Sequence, residues 1–264
     1  MAKNVGLIKI SGKVGDLQFF NKDGNSYVGL KSGVSKERIE KDPVFKRTRE
    51  NMAEFGGSAG VSKNIRDFLI PLKSLFEKNL HARFTSLIRR MINLGSGARG
   101  KRRVEFSLNQ EELTHYELNS KSKVSEIIYA NMDIVPNAER NQAVLTIDEF
   151  LPSDYLLIPE GATHYKVHLA ALSISDFAPQ GVKSSYKPLN TAQHGLLDMV
   201  STAELTIDSA AAGGITLTVN LPGTPTLGTD VSLFTFIGIE FLQGVNGSFY
   251  QLASNNAIRI EKVF

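Results

Sequence analysis

The sequence predicts an α+β fold: an N-terminal β-hairpin ribbon, a basic helical hairpin or bundle, then an antiparallel β-sandwich, Ig-like or jelly-roll-like. Three observations carry this reading. Residues 4–31 form short apolar runs around an Asp23-Gly24 turn signal. Residues 42–94 repeat apolar side chains at helical spacing. From Val104 onward, β-branched and aromatic runs are separated by Pro and Gly turns. The expected division is a basic N-terminal domain, 1–103, and an acidic β-sandwich domain, 104–264.

In the ribbon (4–31), Val5, Leu7 and Ile8 to Ile10 read as one strand and Leu17 to Phe20 as another. Ser26 to Lys31 returns as the partner, because Asp-Gly supplies the positive φ angles of a two-residue turn. A ribbon of this size is marginal in water. It is therefore expected to pack on the helices, on the sandwich or on a neighbouring subunit.

The helical segment (42–94) opens at Asp42-Pro43, an N-cap residue followed by a proline at the first helical position. Phe45, Thr48, Met52 and Phe55 make the first stripe, and Gly56-Gly57 is expected to end that helix. Ile65, Phe68, Leu69, Leu72, Leu75 and Phe76 make a second stripe, with Pro71 set to kink or interrupt it. Phe84, Leu87, Ile88 and Met91 make a third, stopped by the glycines of 95–100.

A strand is expected over Arg103 to Leu108. Eight more are expected over 123–135, 142–150, 163–175, 203–208, 214–220, 231–243, 248–252 and 257–263. In 231–243, Leu233, Ile237, Ile239 and Phe241 share one face, and Phe234, Phe236 and Leu242 the other. That pattern belongs to a central strand covered on both sides. Residues 180–199 read as a long polar connection, the kind of loop that carries contacts.

Charge is divided along the chain. Residues 1–103 hold 22 Lys and Arg against 9 Asp and Glu; the remainder hold 8 against 18. Such asymmetry points to a polyanion partner for the first half or to contact between oppositely charged halves. Arg83, Arg89, Arg90, Arg99, Lys101, Arg102 and Arg103 are the candidate polyanion or inter-subunit contacts. Glu37, Glu40, Glu50, Glu54 and Glu77 interrupt the block.

The search for chemistry is otherwise empty, and no catalytic, cofactor or metal residues are assigned. With no Cys, disulfides, thiolate metal sites and Cys catalysis are excluded. Gly95-Ser96-Gly97-Ala98-Arg99-Gly100 matches G-x-G-x-x-G, but a helix precedes it where a dinucleotide site needs a strand. His164 and His168, four apart on a strand, stand roughly 13 Å apart and cannot share a metal. His81, His115 and His194 lack sequence-near partners. Glu111-Glu112 and Asp148-Glu149 are adjacent acids whose side chains diverge. Asn246-Gly247-Ser248 reads as a hairpin turn. No apolar run approaches the ~20 residues of a membrane span. The N-terminal segment shows no leader pattern, which predicts synthesis in the cytoplasm, with release as part of an assembled particle compatible with it.

Four stretches together carry a resemblance: GKVGDLQFFNKDGNSYV (12–28), DPVFKRTRENMAEFG (42–56), IPEGATHYKV (158–167) and GIEFLQGVNGSFYQLASNNAIRIEKV (238–263). The chain resembles a group of uncharacterised proteins from Bacteroidetes-type bacteria. The resemblance implies no activity and transfers no functional residue. In the matching stretch, Arg47, Arg49, Glu50 and Glu54 are expected to knit the helix to the ribbon.

The functional expectation is a non-enzymatic structural protein that forms homo-oligomers, such as a shell, tube, filament or phage-like particle component. Its contacts are expected through the ribbon and through basic/acidic complementarity. Two alternatives stand: a nucleic-acid-associated protein of a mobile element acting through the basic helices, and a ligand- or glycan-binding module using the 180–199 loop. The absence of Trp weakens the glycan version.

Overall fold

The structure is a computed structural model that describes residues 2–4, 10–30, 33–181, 185–210, 213–223 and 226–264. The strand expected through Val5, Leu7 and Ile8 lies outside the described residues. The α+β class holds, and the chain divides into two compact units, Met1–Arg49 and Glu50–Phe264.

In the first unit, β1 (Ala2–Asn4), β2 (Gly12–Val14), β3 (Leu17–Lys22) and β4 (Asn25–Leu30) form an antiparallel sheet in the order β1-β4-β3-β2. The β3–β4 turn is the expected one: Asp23 and Gly24 take φ of 51° and 76°, the paired positive values of a type I′ turn. Ser35 then caps α1 (Lys36–Lys41) by accepting from the Arg38 N–H at 3.2 Å. Asp42 ends α1 and, accepting from the Val44 N–H at 3.0 Å, starts the 3₁₀ turn Pro43–Phe45 that leads into α2 (Lys46–Phe68). Arg49 clamps this corner through the carbonyls of Ile39 and Asp42, at 2.6 and 2.9 Å.

The second unit is layered. α2 from Glu50 onward, a 3₁₀ segment (Ile70–Leu75) and α3 (Leu80–Leu94) form the helical layer. Short helices α4 (Val124–Ile127) and α5 (Pro152–Tyr155) flank the strands. β5 (Met132–Pro136), β6 (Gln142–Ile147) and β12 (Ile215–Asn220) make a three-stranded sheet in the order β12-β6-β5. β7 (His164–Ser175) and β13 (Val231–Val245) are the long central pair of a six-stranded sheet. β10 (Leu197–Ser201) and β11 (Leu205–Thr206) pair with β7; β14 (Ser248–Gln251) and β15 (Ala257–Val263) pair with β13. β8 (Phe177–Gln180) and β9 (Ser185–Pro188) form a separate hairpin.

The expected two-faced character of 231–243 explains the layering. Leu233, Ile237, Ile239 and Phe241 join Tyr165, Val167 and Leu169 of β7 in a core shared with Ile134, Leu145, Leu217 and Val219 of the smaller sheet. Phe234 and Phe236 join Ala170, Leu172, Ile258 and Ile260 in a second core, closed by Ile65, Leu69, Phe84, Leu87 and Ile88 of the helices. Two antiparallel sheets thus face each other, while helices cover the other face of the larger one. The boundary expected at Arg103/Val104 falls inside this unit, because that sheet face is apolar and the helices are its cover.

Four local expectations are corrected. Gly56-Gly57 does not end a helix: α2 runs through both. The strand expected over 123–135 begins as α4, because Glu117 accepts from the N–H groups of Val124 and Ser125 at 3.0 and 3.2 Å and caps a helical turn. Of Arg103 to Leu108 only Val104 pairs, with Phe177; Phe106 instead wedges edge-on between the rings of Phe177 and Phe234. Residues 180–199 contain β9 and the start of β10, with Tyr186 and His194 partly buried within the unit.

Candidate functional site

The basic cluster does not stay together as a charged surface. Glu54, on the buried side of α2, has a fully buried side chain. Arg102 donates to it from Nε and Nη2, both at 2.9 Å; Arg89 donates at 2.6 Å and the Gly100 N–H at 2.8 Å. Burial pushes this carboxyl up, but Arg102, the Gly100 N–H and Arg89 more than offset it and hold it at about 2. Arg83 pairs with Glu77 and donates to the Glu117 carbonyl at 2.9 Å. Arg99 donates to Asn51 at 2.9 Å. Only Arg90, Lys101 and Arg103 are exposed with no side-chain hydrogen bond or ion pair among the described residues.

The acids that interrupt the basic block in sequence are in part its counter-charges, Glu54 and Glu77. The acidic partners of Arg83, Arg89 and Arg102 therefore lie within the helical segment rather than on the acidic strands. The expectation that Arg49 and Glu54 knit the helix to the ribbon is corrected too. Arg49 holds the 39–42 corner, and Glu54 holds α3 and the loop after it.

That loop uses the G-x-G-x-x-G run for chain geometry. Gly97 and Gly100 have φ of 113° and 88°, and a Cβ on Gly100 would meet Glu50 at 2.9 Å. A Cβ on Gly95 would lie 2.0 Å from the Arg103 carbonyl. The turn delivers the Gly100 N–H to Glu54.

The histidines occupy separate settings. His164 Nδ1 lies 2.8 Å from the Thr163 hydroxyl, and its ring meets Phe249. His168 Nδ1 lies 2.7 Å from Ser201; its Nε2 is 3.3 Å from Glu240 without the alignment of a hydrogen bond. His194 sits edge-on to Phe68 and Phe177. Its Nδ1 accepts from the Ser175 N–H at 3.3 Å, so Nε2 carries the hydrogen and donates to Asn64 at 2.7 Å. Burial lowers its pKa to about 4, and the ring is a neutral bridge between α2 and the sheet.

Asp148 accepts from Asn131 and Glu149 from the Gly213 N–H, so that acid pair braces loops. Among the described residues no group of three His, Asp or Glu is placed to hold a metal ion, and no helix is long and apolar enough to cross a membrane. An open groove of about 510 Å³ runs beside the glycine face of α2, and among the described residues no acid or histidine lines it.

The sheet with the least burial among the described residues is the N-terminal one. Among the described residues of the first unit only Ser26 is buried. Register puts Val14, Leu17, Phe19, Val28 and Leu30 on one face. Val14 is 61% exposed, Leu17 41% and Leu30 77%. The other face carries Lys3, Lys13, Lys22 and the stacked rings of Phe20 and Tyr27, with centroids 5.7 Å apart. A four-stranded amphipathic sheet is what single-strand patterning could not reveal, because β1 and β2 are too short to show alternation.

This chain is an α+β protein with a layered second unit, an amphipathic sheet in the first unit and no assembled catalytic constellation among the described residues. No protein-family model, curated protein or solved structure matches it.

Proposed function

We propose that this is a non-enzymatic structural protein that self-assembles, as a component of a shell, tube, filament or phage-like particle, by burying the apolar face of its N-terminal sheet against a second copy. The supporting observation is that face: Val14, Leu17, Phe19, Val28 and Leu30 aligned on a sheet that covers none of them fully. A contiguous apolar patch on a sheet is a liability in a monomer and an asset in an assembly. A second copy fits because the face, completed by Asn21 and Ser26, carries no ionisable side chain among its described positions, so stacking two copies opposes no like charges. Two sheets packed face to face about 10 Å apart complete each other's core, and a two-fold contact needs only one such patch.

The basic/acidic route to assembly has less support, since Arg83, Arg89 and Arg102 are answered by acids of the same helical segment. The same pairing weakens the reading in which the basic helices grip nucleic acid. The ligand reading loses its open loop, because residues 185–188 and 197–199 are strands.

Light scattering coupled to size-exclusion chromatography tests the proposal. Oligomers are expected that persist at high salt and dissociate in Leu17→Lys/Leu30→Lys. A wild-type chain that stays monomeric at high concentration overturns it.

A further inference from the structure

The second face of the N-terminal sheet has a different chemistry, and we infer that it binds single-stranded nucleic acid. Cross-strand register places Lys3 opposite Tyr27, and Tyr27 opposite Phe20, in one row across three strands. Lys22 follows Phe20 two residues along β3, and Lys13 lies beside Gln18 on β2. Three lysines thus share a sheet face with one aromatic pair. Phe20 and Tyr27 lie 23° from parallel and are half-exposed, while all three lysines are exposed. No acid occupies the described strand positions of this face; Asp16 and Asp23 sit in the connecting turns.

A lysine patch alone attracts any polyanion. The aromatic pair narrows the partner, because every base has a π-face that stacks on a ring, whereas an acidic peptide or an anionic lipid surface has none. Side chains on one face of a strand recur about every 6.8 Å. An extended strand can therefore meet rings with its bases and ammonium groups with its phosphates. A duplex keeps its base faces hidden inside the stack, so it offers this aromatic pair nothing to stack on. The face is opposite to the apolar one, so occupation of either leaves the other free.

Fluorescence anisotropy of a labelled oligothymidylate with the full chain tests this. Binding at low salt is expected, with a log–log salt slope of about −2 for three phosphates. An equally long duplex and inorganic polyphosphate should compete about tenfold less well. Phe20→Leu/Tyr27→Leu should weaken binding by about 10- to 100-fold at an unchanged salt slope, and Lys3→Glu/Lys13→Glu/Lys22→Glu should abolish it. The ring-preserving Phe20→Tyr/Tyr27→Phe should bind like the wild type, which separates loss of stacking from loss of the sheet. Absence of binding at low salt overturns the inference. So does equal competition by polyphosphate or duplex, or full affinity in the double leucine variant.

Discussion

Arg102 holds both carboxylate oxygens of Glu54 at once, from Nε and Nη2, each at 2.9 Å and 48 residues away along the chain. Arg89 completes the grip from α3, so one buried charge ties α3 and the loop after it to α2. Glu54→Gln leaves two guanidiniums facing a neutral group. Breaking one partner of a buried ion pair costs about 3–5 kcal/mol. In a unit of this size that lowers the melting temperature by about 6–20 °C, measurable by calorimetry. Arg102→Lys should recover only part, because an ammonium cannot make the two-point fork.

Two groups give this protein acid sensitivity in successive windows that meet near pH 4. Glu54 falls from its ordinary 4.5 to about 2 on folding, so its contribution is fully present above pH 4.5 and is lost as pH drops toward 2. His194 falls from 6.5 to about 4. Between those values the unfolded chain binds a proton that the folded chain refuses, and stability declines as pH falls from 6.5 to 4. Urea unfolding across pH should show both slopes. His194→Gln should flatten the upper window only, and Glu54→Gln the lower only.

The glycines of α2 separate by what lies outside them. A Cβ on Gly57 would sit 2.1 Å from the Tyr186 ring, whose hydroxyl donates to the Arg102 carbonyl at 2.7 Å. Gly57→Ala should therefore destabilise by about 1–3 kcal/mol through overpacking. Gly56 and Gly60 have open space at the same position. Gly60→Ala should stabilise by up to about 1 kcal/mol, the ordinary helix-propensity gain. Denaturant midpoints of the two variants, moving in opposite directions, check this.

Arg90→Glu, Lys101→Glu and Arg103→Glu reverse the exposed charges of the cluster. Each should change stability by no more than about 0.5 kcal/mol, in contrast to Arg102→Glu, which should unfold the helical layer. If the triple reversal abolished oligonucleotide binding while the ribbon lysines remained, the grip would belong to the helices and not to the sheet.

Much of the architecture was legible in periodicity. Val231–Val245 is apolar on both parities and lies at the centre of the larger sheet, covered on each side. Phe84, Leu87, Ile88 and Met91 mark the buried face of α3. Asp23-Gly24 and Asn246-Gly247 form turns with paired positive φ, since few other residues tolerate them. The site was less legible. Met52 and Phe55 read as a core stripe, yet they are 60% and 62% exposed, and α2 buries Glu54, Gly57, Ser58 and Ser62 beside Val61 and Ile65.

Strands and helices are readable from the chain wherever apolar side chains recur regularly, because that period records which side chains must leave water. What covers them depends on contacts between segments far apart in the chain. Gly57 reads as a helix stop until Tyr186, far along the chain, occupies the space its missing side chain leaves. Glu54 reads as a solvated acid until Arg89 and Arg102 converge on it. The split of the chain at Arg49 rather than Arg103 follows from the same cause: an apolar sheet face recruits its cover from wherever in the chain a complementary face exists.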